Sequence, residues 1–379
     1  MKNIKNEKGS LALFVTIAML FFMAFLLALF LSTTNEQKTQ LAVTARIKEI
    51  YEKDVNNIEE IYNTFIGTEE YIPIYTAEQL KKVGTGESVY ISEIGKYYTF
   101  NLDSKYILKN NIELNKNKYT ITEDGKITFS SDAEQWTSIG TSANPFTGVF
   151  DGDKYKISGL YINNNADNRG LFANSSGSIK NLTLDNGYIK GNNWVGGFVG
   201  QSIENSYISN CINKNQVIGN GFVGGISGRA SGTIENCVNY SSIGLETSKY
   251  NIGGIFGYSN SANTKVNNCS NFGNIIGSQA GGIGGTIVYA SIKECYNNGA
   301  IDSIGQAGGI IGYVYESGLG TIENCYNLKN ISGYRNIGGI VGFNNSTSLK
   351  ILSCYNIANI NATEKNGRRN WRKPDMEIQ

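Results

Sequence analysis

Residues 195–200 read VGGFVG, and the same phrase, apolar-Gly-Gly-apolar-x-Gly, returns five times. It appears as VGGISG from Val223, IGGIFG from Ile252, AGGIGG from Ala280, AGGIIG from Ala307 and IGGIVG from Ile337. The steps between copies are 28, 29, 28, 27 and 30 residues, and a decayed copy, RGLFA from Arg169, stands 26 residues before Val195. A second phrase, apolar-x-x-Cys-x-Asn, runs in phase with the first. Its copies are Ile208/Cys211/Asn213, Ile234/Cys237/Asn239, Val266/Cys269/Asn271, Ile292/Cys295/Asn297, Ile322/Cys325/Asn327 and Ile351/Cys354/Asn356. Ile179/Leu182/Leu184 opens the array with Leu in place of both Cys and Asn. Two independent phrases sharing one period define an internal repeat, and a repeat overrides any domain count drawn from length.

A unit of about 28 residues, rich in Gly and β-branched residues and without a helical stripe, fits one coil of a parallel β-helix. Equivalent residues then stack about 4.8 Å apart along the axis. The Gly-Gly pair is expected where the backbone takes positive φ or packs against a neighbour with no room for a Cβ. The cysteines are expected to form a column of small apolar fillers with free buried thiols, vertical disulfides between stacked coils being the alternative. The asparagines are expected to sit at a turn and to stack, amide on amide, from coil to coil.

Working outward, the array spans residues 145–360, with a cap region and first strands at 67–144 and a polar basic tail at 361–379. The tail breaks the period, clusters Arg368, Arg369, Arg372 and Lys373, and reads as disordered. At the other end, residues 1–10 form a basic leader carrying Lys2, Lys5 and Lys8, and residues 11–31 are apolar except for Thr16. Twenty-one such residues make a helix of about 31 Å, enough to cross a bilayer. The lysines place the leader in the cytoplasm and the bulk of the chain outside. An amphipathic helix is expected over 32–66, with a stripe at Ile47, Ile50, Tyr51, Ile58, Ile61, Tyr62 and Phe65 before the stop at Gly67.

This beginning resembles a type IV pilin or pseudopilin: a basic leader ending Lys8-Gly9, a small residue, then an apolar helix running into an amphipathic one. The resemblance implies cleavage after Gly9, a new N-terminus at Ser10, and partners among pilus-like filament subunits. The family's Glu at the fifth mature position is replaced by Phe14, which points to a minor or tip subunit. An uncleaved signal-anchor is the alternative.

The repeats resemble the GLUG family of bacterial surface proteins, some of them adhesins and others the non-catalytic parts of immunoglobulin A peptidases. The likeness covers roughly residues 136–357 and extends upstream through Thr76–Leu80, Tyr106–Leu108, Asn111–Leu114 and Pro145–Gly152. It implies a right-handed parallel β-helix.

Composition limits the chemistry. The 379 residues include no histidine, which removes Ser-His-Asp and Cys-His nucleophile pairs and His-ligated metals. A formal charge of +1 argues against nucleic acid as a partner. No C-x-x-C pair occurs, so no metal site or cofactor is expected. Asp151-Gly152-Asp153 reads as a turn, and Gly281–Gly285 as part of the repeat rather than a phosphate loop. The carboxylates Asp185, Glu204, Glu235, Glu294, Asp302, Glu316 and Glu323 read mainly as solvated decoration, Glu235 and Glu323 sharing one repeat address. Tyr296, Tyr326 and Tyr355 follow their cysteines directly, so alternation turns them outward as a ladder on three successive coils. That ladder reads either as aromatic stacking along the sheet or, since exposed aromatics favour interfaces, as the candidate binding stripe. The expected function is a non-enzymatic adhesion or interaction module, meeting a host or cell-surface glycan or protein. A polysaccharide-acting β-helix enzyme and a passive surface spacer are the competing classes.

Overall fold

A computed structural model describes residues 70–123, 126–244 and 250–363. The leader, the apolar segment, the expected amphipathic helix and the Gly9–Ser10 junction lie outside these residues. Among the described residues, no helix is long and apolar enough to cross a membrane.

The coil that begins at Asn193 shows the plan. Strands Asn193–Gly196, Val199–Ser202, Tyr207–Ser209, Ile212–Asn213 and Gln216–Ile218 follow one another, and the next coil opens at Gly221. Each strand pairs in parallel with its counterpart one coil on: Val195 with Val223, Val199 with Ser227, Ile208 with Ile234, Asn213 with Asn239, and Val217 with Ile243. The whole is an all-β parallel solenoid of about seven turns, each about 29 residues. Strands this short place one or two side chains inward, and coil stacking aligns them in columns. One column runs Phe150, Ile179, Ile208, Ile234, Val266, Ile292 and Ile322, all buried and in register. Burying each such side chain is worth about 1.5–3 kcal/mol, so the repeat concentrates its stability at a few addresses.

The two repeated phrases meet in this interior. The second glycine of every Gly-Gly pair faces the asparagine of the Cys-x-Asn phrase. A Cβ placed on Gly197, Gly225, Gly254, Gly282, Gly309 or Gly339 would come within 2.7 Å of the side chain of Asn213, Asn239, Asn271, Asn297, Asn327 or Asn356 respectively. None of these glycines has positive φ. Of the two reasons for the pair, lack of room is the operative one.

Positive φ falls elsewhere, at two corners of the coil, the second of them lapsing only at Gln306. One corner is the residue before the Cys (or Leu) address: Asn181, Asn210, Asn236, Asn268, Glu294, Asn324 and Ser353, with φ of 47–55°. The other precedes the apolar-Gly-Gly phrase. Asn suits both because it tolerates the left-handed region better than other non-glycine residues. The corner asparagines also bond along the axis, Asn210 Nδ2 to Asn181 Oδ1 at 3.0 Å and Asn268 Nδ2 to Asn236 Oδ1 at 2.7 Å.

The ladders start before the first repeat phrase. Strand Ile72–Ile74 pairs in parallel with Lys105–Leu108, which pairs with Val149–Asp151. Antiparallel hairpins Ser88–Ile91/Lys96–Thr99 and Tyr119–Ile121/Ile127–Phe129 project from this region. A five-residue helix, Ala77–Lys81, is held by a Thr76/Gln79 capping box. At the far end the last strand runs Ile360–Ala362, so the ladder reaches two residues into what the period assigns to the tail. Ile337, Ile340, Val341, Ile351 and Cys354 there are only partly buried, where the preceding coil buries their counterparts.

Candidate binding face

Tyr296, Tyr326 and Tyr355 open the short strands Tyr296–Asn297, Tyr326–Asn327 and Tyr355–Asn356, which stack in register. The following asparagine points inward, so each ring points outward. Ring centroids are 5.0 Å apart for Tyr296–Tyr326 and 5.1 Å for Tyr326–Tyr355, both pairs within 3° of parallel. Enclosure between its neighbours pushes the Tyr326 phenol above its ordinary range. Tyr355, at the end, is 53% exposed.

The stripe is longer than the tyrosine phrase alone indicates. Phe272 meets Tyr296 edge-on at 5.7 Å, and Tyr240 stacks on Phe272 at 5.0 Å. Both follow the repeat asparagine rather than the cysteine, so a reading at one fixed offset misses them. The two offsets flank the same inward residue and therefore share the outer face. Five aromatic rings on successive coils thus line one side of the solenoid.

Behind this face runs an amide ladder. Asn213 Nδ2 donates to Asn239 Oδ1 at 2.8 Å, Asn239 to Asn271, Asn271 to Asn297 and Asn297 to Asn327 at 2.7 Å each, and Asn327 to Asn356 at 2.6 Å. Each Nδ2 also donates to the carbonyl two residues on, as Asn271 does to Gly273 at 2.8 Å. These asparagines lie within strands, not at turns, and all but Asn356 are buried. The cysteine column is adjacent. All six cysteines are free, and each Sγ donates to the carbonyl two residues before it, at 3.3 Å for Cys211 and 3.2 Å for Cys237. Complete burial pushes the Cys211 and Cys269 thiols well above their ordinary range. Alternate members Cys237 and Cys295, each hydrogen-bonded to the thiols on both sides, are drawn the other way, and the column is a packing element of free thiols.

The carboxylates are engaged one at a time. Glu235 accepts from the Tyr207 hydroxyl, Glu323 pairs with Lys293 at 2.8 Å, Asp185 with Lys156 at 3.0 Å, and Asp302 accepts from Ser332 at 3.0 Å. Glu294 occupies a left-handed corner. At Asp151-Gly152-Asp153 the Asp151 carboxylate accepts from the Asp153 backbone at 2.9 Å and pairs with Lys180 at 3.2 Å, which makes it a turn with its charge neutralised. Gly281–Gly285 lies in the repeat register. Among the described residues no group of three or more Cys, Asp or Glu is placed to hold a metal. A cavity of about 670 Å³ lies beside the capping helix, and on its wall Lys81 bonds Glu78 at 2.9 Å and Glu134 at 2.7 Å.

The geometry defines the class: a parallel β-solenoid with an outward aromatic stripe. No family model matches the chain. It is 32% identical over 154 residues to halomucin of Haloquadratum walsbyi, a stretch that takes in 37% of this chain and 2% of halomucin. The chain therefore spans a small fraction of that relative's length. Among solved structures it is similar to a Bacteroides ovatus protein provisionally named an immunoglobulin A1 protease. That similarity covers 80% of this chain and 81% of the other, with a TM-score of 0.49 and 18% identity.

Proposed function

We propose that the chain is a non-enzymatic interaction module, a GLUG-like solenoid anchored through residues 11–31 and displayed outside the cell. Its binding face is the stripe of Tyr240, Phe272, Tyr296, Tyr326 and Tyr355. The observation that carries this reading is the parallel stacking of the three tyrosines at 5.0 and 5.1 Å. Such a row is a rigid, amphipathic surface whose ordering cost is met within the free protein, and aromatic side chains of this kind dominate recognition surfaces. The partner is a cell-surface or host glycan or protein that can lie along the solenoid axis. A pilin-like leader cut after Gly9 would place the module on a filament.

The carboxylates support the binding reading over a polysaccharide-acting enzyme. Glycoside cleavage needs two carboxyl groups facing one another at about 5–9.5 Å, whereas Glu235, Glu323, Asp185 and Asp302 are each engaged by a hydroxyl or a lysine. Antibody labelling of intact cells and of sheared surface filaments tests the display. Signal on intact cells is expected, and a chain found only inside the cell overturns the reading.

A further inference from the structure

We propose that a second face of the solenoid, built around Trp194, Phe222, Tyr258 and Arg229, binds a neutral glycan. One sugar ring stacks on the aromatic cluster and the adjoining ring enters a polar pocket beside it.

The first observation concerns the corner before the apolar-Gly-Gly phrase. In other coils it holds Asn168, Asn251, Gln279 and Asn336, all with φ between 50° and 61°. In two successive coils it holds Trp194, at φ 58°, and Phe222, at φ 57°. A bulky ring in the left-handed region is a true outlier, and strain of this kind concentrates where a surface has a task. The rings are organised rather than scattered. Trp194 stacks on Phe222 at 3.9 Å and 14°. Tyr258 stands edge-on to both, at 5.8 and 5.4 Å, and Tyr250, 40% exposed, stands edge-on to Phe222 at 5.5 Å. The result is an angled cluster of partly exposed rings, with Tyr258 and Tyr250 flanking the stacked Trp194–Phe222 pair.

The second observation lies next to it. Arg229 is the register partner of Tyr258, and its Nη2 donates to Asn260 Oδ1 at 2.7 Å. Arg229 and Asn260 form the wall shared with a pocket of about 260 Å³, which Glu204, Ser231 and Tyr289 also line. Here the ladder register shifts between Ser259 and Asn260 and again before Lys265, which opens the surface. Arg229 Nε and Ser231 Oγ are buried without a hydrogen-bond partner, and Ser231 is 3% exposed. Unmet polar atoms in a native fold call for an explanation. Sugar hydroxyls both donate and accept, so one ring can serve the arginine, the serine and the Glu204 carboxylate together. Arg229 and Glu204 offset one another in charge, so the pocket does not select an anion. Its volume falls just below the range of about 300–1,000 Å³ usual for ligand clefts, which suits a single sugar ring of a longer chain.

The test is calorimetric titration of the full-length chain with hexasaccharides of glucose, of mannose and of N-acetylglucosamine, with hexagalacturonate as the anionic control. Binding of at least one neutral hexasaccharide and none of the uronide is expected. The double variant Trp194→Asn/Phe222→Asn should lose at least tenfold in affinity with an unchanged or raised melting temperature, because Asn is the residue that corner takes in other coils. Arg229→Gln should lose a similar factor. No binding of any neutral hexasaccharide, binding of the uronide alone, or full affinity in the double variant overturns the proposal and leaves the tyrosine stripe unaffected.

Discussion

Gly225 and Asn239 face each other across the solenoid interior so closely that a Cβ on the glycine would stand 2.6 Å from the asparagine Cγ. The glycine belongs to one repeated phrase and the asparagine to the other. Their shared period follows from this contact: each coil must present an empty site opposite each amide. Asn239 cannot withdraw, because its Nδ2 is bonded to Ser241 O at 2.8 Å and to Asn271 Oδ1 at 2.7 Å.

Gly225→Ala should therefore destabilise the fold by at least the 1–3 kcal/mol or so typical of overpacking, with backbone as well as side chain in the way. Urea unfolding of the two proteins measures it. Equal midpoints would mean that the interior has slack the contact does not show.

Glu294, like Ser353 in the last coil, breaks the corner column that Asn181, Asn210, Asn236, Asn268 and Asn324 occupy. Its φ of 54° is disfavoured for a residue without a short polar side chain. Glu294→Asn should stabilise the protein by about 1 kcal/mol. A lower melting temperature for this variant would contradict the corner assignment.

Within the cysteine column, Cys211 and Cys269 contribute a pH dependence of their own, opposed by Cys237 and Cys295. Burial raises the Cys211 and Cys269 thiols well above their ordinary range in the folded protein. The unfolded chain releases these protons near pH 8.5, the folded one only higher. Stability from these thiols is thus complete below about pH 8.5 and falls as pH rises beyond it. Chemical unfolding of wild type and of Cys211→Ala/Cys269→Ala at pH 7 and pH 9.5 isolates this contribution: the variant should lose less stability between the two pH values than wild type does. Alkylation should find six thiols in unfolded protein and few in native protein; disulfides in the unfolded sample would remove the column's explanation.

The leader makes a separate claim. N-terminal sequencing of the mature chain is expected to begin at Ser10. An intact Met1 in cells with an active prepilin peptidase contradicts the pilin-like reading and leaves a plain signal-anchor.

The columns were legible because a repeat states each address several times: six cysteines and six asparagines at one offset leave little choice of period. The physical role of each address was less so. Glycine is used for positive φ and for lack of space, and sequence alone does not separate the two; the structure places positive φ on Asn236 and lack of space on Gly225. Tyr240 and Phe272 went unread because strand alternation makes two offsets equivalent on the outside. The Arg229 pocket had a faint signal, the long step of 32 residues from Cys237 to Cys269 against 26 for the steps on either side. An insertion in a solenoid has to leave the ladder somewhere, and there it reshapes the surface.

Replacing Tyr296, Tyr326 and Tyr355 together by Ser tests the central claim most directly. Stacked cross-strand aromatic pairs contribute about 0.2–1 kcal/mol each, so the two pairs lost should leave the solenoid folded. Surface attachment by cells displaying the full-length variant should fall at least tenfold against wild type at matched display and similar melting temperature. Undiminished attachment by that folded variant would contradict the assignment of the tyrosine stripe as the binding face.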